Sequence, residues 1–272
     1  MASGKKSRER KRAAAATAPP VRSKGTARAR QASPRVLIGA GVAAALVAVV
    51  VVLIVVFTGG GPSTPKGIPA TGSIARGLPG APEVDHYFAG IPQTGMTLGA
   101  PSAKATLVEY IDLQCPFCRQ FDLEVLPNIV DKYVRTGRVK IEARVVAFIG
   151  ADSEAGRRAM IAAGKQDRAF NFAEVLYFNQ GTENTGWLNE DMLASAAASI
   201  PGVKVGQVLS DRDDPSVTAT TKSFDKAMKA DKVTQTPTIL VGRQGSTPTI
   251  VALKSAGDQP AVETALDTAL AR

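Results

Sequence analysis

Cysteine and histidine are scarce in this chain, and their scarcity limits the chemistry that the protein can perform. The 272 residues include two cysteines and one histidine. A structural zinc site normally needs four ligands, so only an intermolecular site would complete the shell here. A copper carrier is disfavoured because His86, the sole imidazole, lies outside the segment that holds the cysteines. We therefore expect no metal and no organic cofactor.

Both cysteines lie in one short segment, Cys115-Pro116-Phe117-Cys118. At Cys-X-X-Cys spacing two sulfurs can close a small ring, so the pair can alternate between dithiol and disulfide. A static structural disulfide is the competing interpretation, but stabilising disulfides usually close much longer loops. The spacing therefore favours a redox-active pair.

The sequence around the cysteines predicts a strand-to-helix turn. Residues 105–113 are apolar and partly β-branched, and residues 116–135 have apolar residues at helical spacing. Pro116 suits the first helical turn, which places Cys115 at the N-cap beside unpaired N–H groups that favour an anion. An ordinary thiol is only about 3 per cent thiolate at neutral pH, so this position would activate the sulfur. We expect Cys115 to be the nucleophile and Cys118 the resolving thiol.

Positive charge is concentrated at the start of the chain. The net charge is +9, but residues 1–35 alone contain eleven Lys or Arg and one acid. This segment has no aromatic residue and is rich in Ala, Ser and Pro, which predicts a disordered basic tail rather than a nucleic-acid-binding domain.

An uncharged apolar run of 22 residues follows the basic tail, at residues 36–57. As a helix it would be about 33 Å long, enough to cross a hydrocarbon core of about 30 Å. Lys and Arg flank only its N-terminal side, which predicts a cytoplasmic N-terminus and an extracytoplasmic remainder, where disulfides persist. A cleaved signal peptide is the alternative, but the run is longer than a signal-peptide core.

The folded region is predicted to begin near Glu83 and to extend to residue 272. Residues 58–82 are dense in Gly and Pro, which is typical of a flexible linker. The predicted elements after the linker are an edge strand at 96–99, strands at 105–113 and 138–148, a helical insertion at about 151–231, strands at 238–241 and 249–253, and a helix at 259–270.

This order of elements, with Cys-X-X-Cys opening the first helix, resembles that of the DsbA-like thiol-disulfide oxidoreductases. The resemblance depends on the segment LVEYIDLQCPFCRQF (107–121), on the insertion, and on VTQTPTILVG (233–242). It implies an α/β, thioredoxin-like fold with an inserted all-helical domain, here preceded by one transmembrane helix.

The resemblance also implies substrate-binding residues. In that family a Thr-Pro pair with a cis peptide bond lies opposite the cysteines, which corresponds to Thr236-Pro237 here. Such a loop presents backbone to an extended substrate, as a strand edge does. We expect Pro116 and Phe117 to contact substrate as well.

Glu109, six residues before Cys115, matches a buried carboxylate that serves in that family as a proton relay near the resolving thiol. It shares a predicted strand face with Leu107 and Ile111, which favours burial. A solvent-facing edge charge is the alternative. Asp112 is closer to the cysteines but lies on the opposite predicted face, so we rank it below Glu109.

Together with the predicted transmembrane helix, the resemblance implies a membrane-anchored, extracytoplasmic enzyme that introduces disulfides into reduced secreted proteins. Its reoxidant would be a quinone-linked membrane protein of the DsbB or vitamin K epoxide reductase type. The best-known relatives carry His between the cysteines, whereas Pro116-Phe117 supplies no positive charge to the Cys115 thiolate. Two alternatives stay open: a reductase or isomerase of the same fold, and a non-catalytic membrane-tethered binding module.

Overall fold

A computed structural model describes residues 64–271. The predicted basic tail at 1–35 and the predicted transmembrane helix at 36–57 lie outside the described residues, as does the start of the predicted linker. Within 64–271, none of the helices has both the length and the apolar character that crossing a bilayer requires.

A six-stranded sheet forms the centre of the fold, in the order β1-β2-β4-β3-β5-β6. The central pair β3 and β4 is parallel, and every other neighbouring pair is antiparallel. Strand β3 is buried along almost its whole length, which explains why its sequence is a nearly continuous apolar run. The strands are β1 (Gln93–Thr94), β2 (Thr97–Leu98), β3 (Ala105–Ile111), β4 (Val139–Val145), β5 (Thr238–Arg243) and β6 (Thr249–Ile250).

The helix that follows the cysteines, α2, extends over residues 116–134 and contains two wider, π-helical turns, at Phe121–Val125 and Val130–Val134. Pro127 has no N–H to donate to the carbonyl of Leu123, so the regular hydrogen-bond pattern is interrupted near the first of these turns. The other helices are α1 (Ala81–Phe88), α3 (Ala151–Gly164), α4 (Ala169–Phe178), α5 (Glu190–Ala198), α6 (Val205–Asp211), α7 (Pro215–Ala230) and α8 (Gln259–Ala271).

Helices α3 to α7 form the predicted insertion between β4 and β5. Phe170, Phe172 and Tyr177 are buried in the core there, as their apolar surroundings in the sequence predict. Phe178, at the end of α4, is not buried with these three residues, since its side chain is 41 % exposed. Its ring covers Gly80, where any Cβ would collide with the ring atoms.

The prediction of a flexible linker is wrong for residues 64–82. Thr71 forms a bridge with Lys204, and the Gly72 N–H donates to the Val203 carbonyl (2.8 Å). The Leu78 N–H donates to the Ser199 hydroxyl (2.8 Å), so this segment packs along the insertion. The glycines gave a misleading signal: Gly72 permits close backbone approach, since a Cβ there would collide with the backbone of the insertion. The packed part of the chain therefore begins before Glu83.

Candidate active site

The two cysteines lie where β3 leads into α2, and both are free thiols in this structure. Cys115 is the N-cap residue, with extended backbone angles, and Pro116 occupies the first helical turn. The Cys118 side chain is completely buried, whereas Phe117 between the cysteines is 61 % exposed. The predicted strand-to-helix turn is therefore confirmed, and it leaves the outer sulfur next to the helix N-terminus.

The surroundings of Cys115 favour the thiolate. Hydrogen bonds lower the pKa of the Cys115 thiol to about 6, and the largest contribution comes from the Cys118 thiol. The Thr236 side chain and the backbone N–H groups of Cys118 and Phe117 contribute less, and burial opposes the shift. When protonated, the thiol donates to the Thr236 carbonyl oxygen, with an Sγ–O distance of 3.3 Å. A pKa of about 6 makes Cys115 about 90 per cent thiolate at pH 7.

Cys118 has the opposite surroundings. Burial, followed by the hydrogen bond and the charge of Cys115, raises the pKa of the Cys118 thiol well above its usual value. The backbone N–H of Asp112 donates to the Cys118 sulfur at 3.5 Å and offsets this only in part. The pair therefore combines an acidic outer thiol with an inner thiol that holds its proton.

The buried Asp112 and the half-buried Gln180 hold the turn around Cys115 in place. One Asp112 carboxylate oxygen accepts from the backbone N–H of Gln114 (2.9 Å), and the other accepts from those of Phe148 (2.8 Å) and Ile149 (3.0 Å). The Gln180 amide donates to the carbonyl of Cys115 at 3.2 Å. Asp112, which the sequence ranks below Glu109 as a relay, thus links the end of β3 to the segment after β4.

The Thr236-Pro237 segment lies against Cys115, and its peptide bond is cis, as the resemblance implies. A groove of about 340 Å³ brings Phe117 together with this segment and with residues 253–256. Pro116 lines a second groove on the side of Gln180 and residues 181–183. The four predicted substrate-binding residues are therefore divided between two grooves.

Glu109 is buried in the middle of β3, so the alternative of a solvent-facing charge is excluded. One of its carboxyl oxygens has no hydrogen-bond partner. Burial raises the pKa of the Glu109 carboxyl to about 8. A carboxyl group with that pKa can hold or release a proton near neutral pH.

Two further buried acids were not predicted: Asp122 on α2 and Glu174 on α4. Burial raises the pKa of both carboxyls well above the usual value, and the negative charge of Glu109 raises it further. Asp122 lies one helical turn after Cys118, a spacing that places both on one face, and this signal was present in the sequence. Glu174 is the single charged residue of α4, whose other residues are apolar except Asn171, and this was a second available signal.

Within residues 64–271, no three or more His, Cys, Asp or Glu side chains are placed to hold a metal ion together. Glu109, Asp122 and Glu174 are close enough to influence one another, but their raised pKa values favour the neutral form rather than a set of anionic ligands. His86 is exposed on α1.

A thioredoxin-like sheet, a Cys-X-X-Cys pair at a helix N-terminus and a facing cis-proline segment define a thiol-disulfide oxidoreductase. A family profile described as thioredoxin matches residues 92–255. The chain is 32% identical over 170 residues to a Bacillus cereus protein named probable disulfide bond formation protein D, across 61% of this chain and 78% of that protein. It is 26% identical over 146 residues to disulfide bond formation protein D of Bacillus subtilis, across 53% and 66%. The chain therefore belongs to this thioredoxin-fold family of disulfide oxidoreductases and is a thiol-disulfide oxidoreductase.

Solved structures share the fold. Oxidised BdbD from Bacillus subtilis superposes with a TM-score of 0.58 at 22% identity, covering 67% of this chain and 98% of that one. DsbA from Chlamydia trachomatis gives a TM-score of 0.51 at 19% identity, covering 64% and 90%. The thioredoxin-like α/β fold with additional helices is therefore confirmed.

Proposed function

We propose that this oxidoreductase is anchored to a membrane and introduces disulfides into reduced secreted proteins through Cys115 and Cys118. The observation that carries the exchange chemistry is the contrast between the two sulfurs at the start of α2, one with a pKa of about 6 and one with a pKa well above the usual value. Relatives named for disulfide bond formation support the oxidative direction.

The chemistry follows from this contrast. A substrate thiolate attacks the Cys115 sulfur, the bond to Cys118 breaks, and Cys118 leaves with the electron pair and takes up a proton. A second substrate thiolate then attacks the substrate sulfur of the mixed disulfide, and Cys115 leaves as a thiolate. The substrate loses two electrons and the pair gains them. The low pKa of Cys115 makes it a good leaving group in the second step.

Glu109 assists the first step. Cys118 is a poor leaving group as a buried thiolate, because burial raises the pKa of its thiol. A carboxyl group with a pKa of about 8 is protonated at neutral pH and can supply the proton that Cys118 takes up. The same carboxylate can accept the Cys118 proton when the pair is reoxidised.

The substrate would lie in the groove that contains Phe117, Thr236 and Pro237. Thr236 reaches the Cys115 sulfur, so a peptide bound along this segment would place a cysteine next to the reactive atom. The exposed Phe117 ring offers apolar contact to an unfolded chain, as does Pro116 from the neighbouring groove.

Residues 36–57 would anchor the protein, with a cytoplasmic N-terminus and an extracytoplasmic catalytic domain. The proposal depends on the long apolar run and on the basic residues that precede it. A quinone-linked membrane protein of the DsbB or vitamin K epoxide reductase type would reoxidise the pair. A reporter domain fused after residue 272 should be active only outside the cytoplasm, and a cytoplasmic signal would contradict this topology.

Redox titration of the full-length protein against glutathione tests the direction of electron flow. A Cys115/Cys118 potential above that of glutathione supports an oxidase, and one near about −270 mV, the value of thioredoxin, supports a reductase. A disulfide that ordinary thiols fail to reduce would contradict a catalytic role and favour a binding module.

Phe117→His provides a variant for the same titration. An imidazole beside the thiolate should lower the pKa of Cys115 further and raise the reduction potential. Phe148→His is the matched control, because Phe148 is also partly exposed, at 42 %, but lies outside the cysteine segment. Equal potentials for the two variants would contradict a special role for position 117.

A further inference from the structure

Three carboxyl groups and one phenol from four elements meet in the interior beside α2. Glu109 comes from β3, Asp122 from α2, Glu174 from α4, and Tyr87 from α1. Each has at least one buried oxygen without a hydrogen-bond partner. A buried polar atom without a partner is costly, so four together are unusual for residues that serve only to stabilise the fold.

A cavity of about 190 Å³ connects part of this group to the surface. Tyr87, Asp122 and Glu174 line it, together with Glu83, which is exposed on α1. Since a water molecule in the liquid takes up roughly 30 Å³, the cavity has room for several. The carboxyl groups of Asp122 and Glu174 can therefore exchange protons with solvent even though both residues are buried.

The same group of acids extends to the inner sulfur. Burial raises the pKa of Cys118, and the charge of Asp122, one turn further along α2, adds a smaller increase. Burial also raises the pKa of Asp122 and of Glu174, and the charge of Glu109 adds to it. Tyr177 is buried and its hydroxyl donates to the Asp112 carbonyl at 3.4 Å, and the charges of Asp122 and Glu109 add to burial in raising the pKa of that hydroxyl. Asp122 therefore lies between Cys118 and the cavity, because it follows Cys118 by one turn of α2 and lines the cavity together with Glu174.

Two arginines lie near these acids, but neither pairs with them: Arg119 donates to the Tyr177 carbonyl, and Arg135 donates to the Tyr87 carbonyl and pairs with Asp131. Tyr87 faces Asp131 of α2 as well as Glu174, and burial with these charges raises the pKa of its hydroxyl. Among residues 64–271, no Lys or Arg forms a salt bridge with Glu109, Asp122 or Glu174. A lasting negative charge is therefore unfavourable here, and a proton that leaves one acid is readily replaced from the next.

We propose that Asp122 and Glu174 carry protons between the cavity and the Glu109–Cys118 centre during disulfide exchange. The proposal rests on the proposed function and deepens it. When Cys118 leaves as a thiolate it takes a proton from Glu109, whose carboxylate regains one through Asp122 and Glu174 acting together, and solvent in the cavity replaces that proton. Reoxidation of the pair reverses every transfer, so no net charge stays buried.

The test uses full-length oxidised protein mixed with glutathione and quenched with acid at short times. Mass spectrometry then measures the mixed disulfide on Cys115 as a function of pH. Asp122→Asn and Glu174→Gln should each slow its formation by about tenfold or more and change the pH profile. Glu124→Gln, which alters an exposed acid on the same helix, should leave both unchanged.

A second measurement separates proton transfer from a structural effect. Formate, a small weak acid that fits the cavity, should restore the rate of Glu174→Ala and have little effect on the unmodified protein. Asp122 and Glu174 lie on different helices, so if one variant fails to fold the other still tests the route.

The outcomes distinguish the route from the enzyme function. Unchanged rates and pH profiles in Asp122→Asn and Glu174→Gln, with a slow Glu109→Gln, would overturn the route and leave the proposed function in place. A Cys115→Ser protein that still exchanges disulfides with glutathione at the normal rate would instead overturn the proposed function.

Discussion

Replacing Cys118 by alanine should raise the pKa of the Cys115 thiol. The hydrogen bond from the Cys118 thiol is the largest of the contributions that set this pKa, which is about 6 in the structure. The variant removes that donor, but it keeps the Thr236 side chain and the backbone N–H groups at positions 117 and 118. Burial, which raises the pKa, is then opposed by fewer hydrogen bonds.

The magnitude follows from the strength of the lost bond. A hydrogen bond to a charged group contributes about 1.5 to 3 kcal/mol, and one pKa unit corresponds to about 1.4 kcal/mol. The pKa of Cys115 should therefore rise by about one to two units, to about 7 or 8. At pH 7 the thiolate fraction would fall from about 90 per cent to between roughly 10 and 50 per cent.

The pKa shift of Cys115 is measured by following the thiolate absorbance at about 240 nm against pH in the full-length protein. Cys118→Ser is the matched control, because its hydroxyl can still donate to the sulfur and should keep the midpoint close to about 6. Cys118→Ala should also trap mixed disulfides when its Cys115 thiolate attacks the disulfide of oxidised glutathione, with one glutathione leaving as a thiolate, and more rapidly above pH 8 than at pH 7.

A midpoint of about 6 in both Cys118→Ala and Cys118→Ser would contradict a role for the Cys118 thiol as a hydrogen-bond donor. In that case the backbone N–H groups of the helix N-terminus would suffice to stabilise the thiolate, and Cys118 would have no part in acidifying its neighbour.

Two further predictions concern stability. In the folded protein the pKa of Glu109 is raised from 4.5 to about 8, so between these values the folded state holds one more proton and loses stability as pH rises. Glu109→Gln should remove about 1.4 kcal/mol per pH unit from that slope in urea unfolding, and an unchanged slope would contradict the raised pKa. Gly72→Ala should cost about 1 to 3 kcal/mol, because its Cβ collides with the Ile200 backbone. Gly257→Ala, which meets no heavy atom closer than 3.5 Å, should cost less; equal losses would contradict the packing of residues 64–82.

The features that the sequence predicted well are those encoded over short distances. The strand-to-helix turn at Cys115 follows from hydrophobic periodicity and from proline in the first helical turn. The helical insertion follows in the same way from repeated helical patterns between Pro and Gly breaks. The approach of Thr236 to Cys115 joins residues 121 positions apart, and only the family resemblance predicted it.

The features that the sequence did not predict depend on which surfaces meet in three dimensions. Asp122 and Glu174 come together through the packing of α4 beside α2, which local patterns do not encode. The packing of residues 64–82 escaped prediction because Gly and Pro permit both flexible chains and close backbone contacts. At Gly72 a Cβ would collide with the Ile200 backbone, which indicates close packing rather than a flexible chain, and this contact is visible only in three dimensions.

The acidity of Cys115 governs the rate of exchange more than its direction. Lowering the pKa of a thiol from 9.0 to about 6 stabilises the reduced pair at pH 7 by about 1.4 kcal/mol, which is about 30 mV for two electrons. The potentials of thioredoxin and protein disulfide isomerase differ by about 90 mV, so this effect alone does not convert a reductase into an oxidase. It does supply a good leaving group without a charged residue at Phe117. Net oxidation of substrates then depends on a partner that keeps the pair oxidised, which is why the proposed membrane reoxidant is essential to the proposed function.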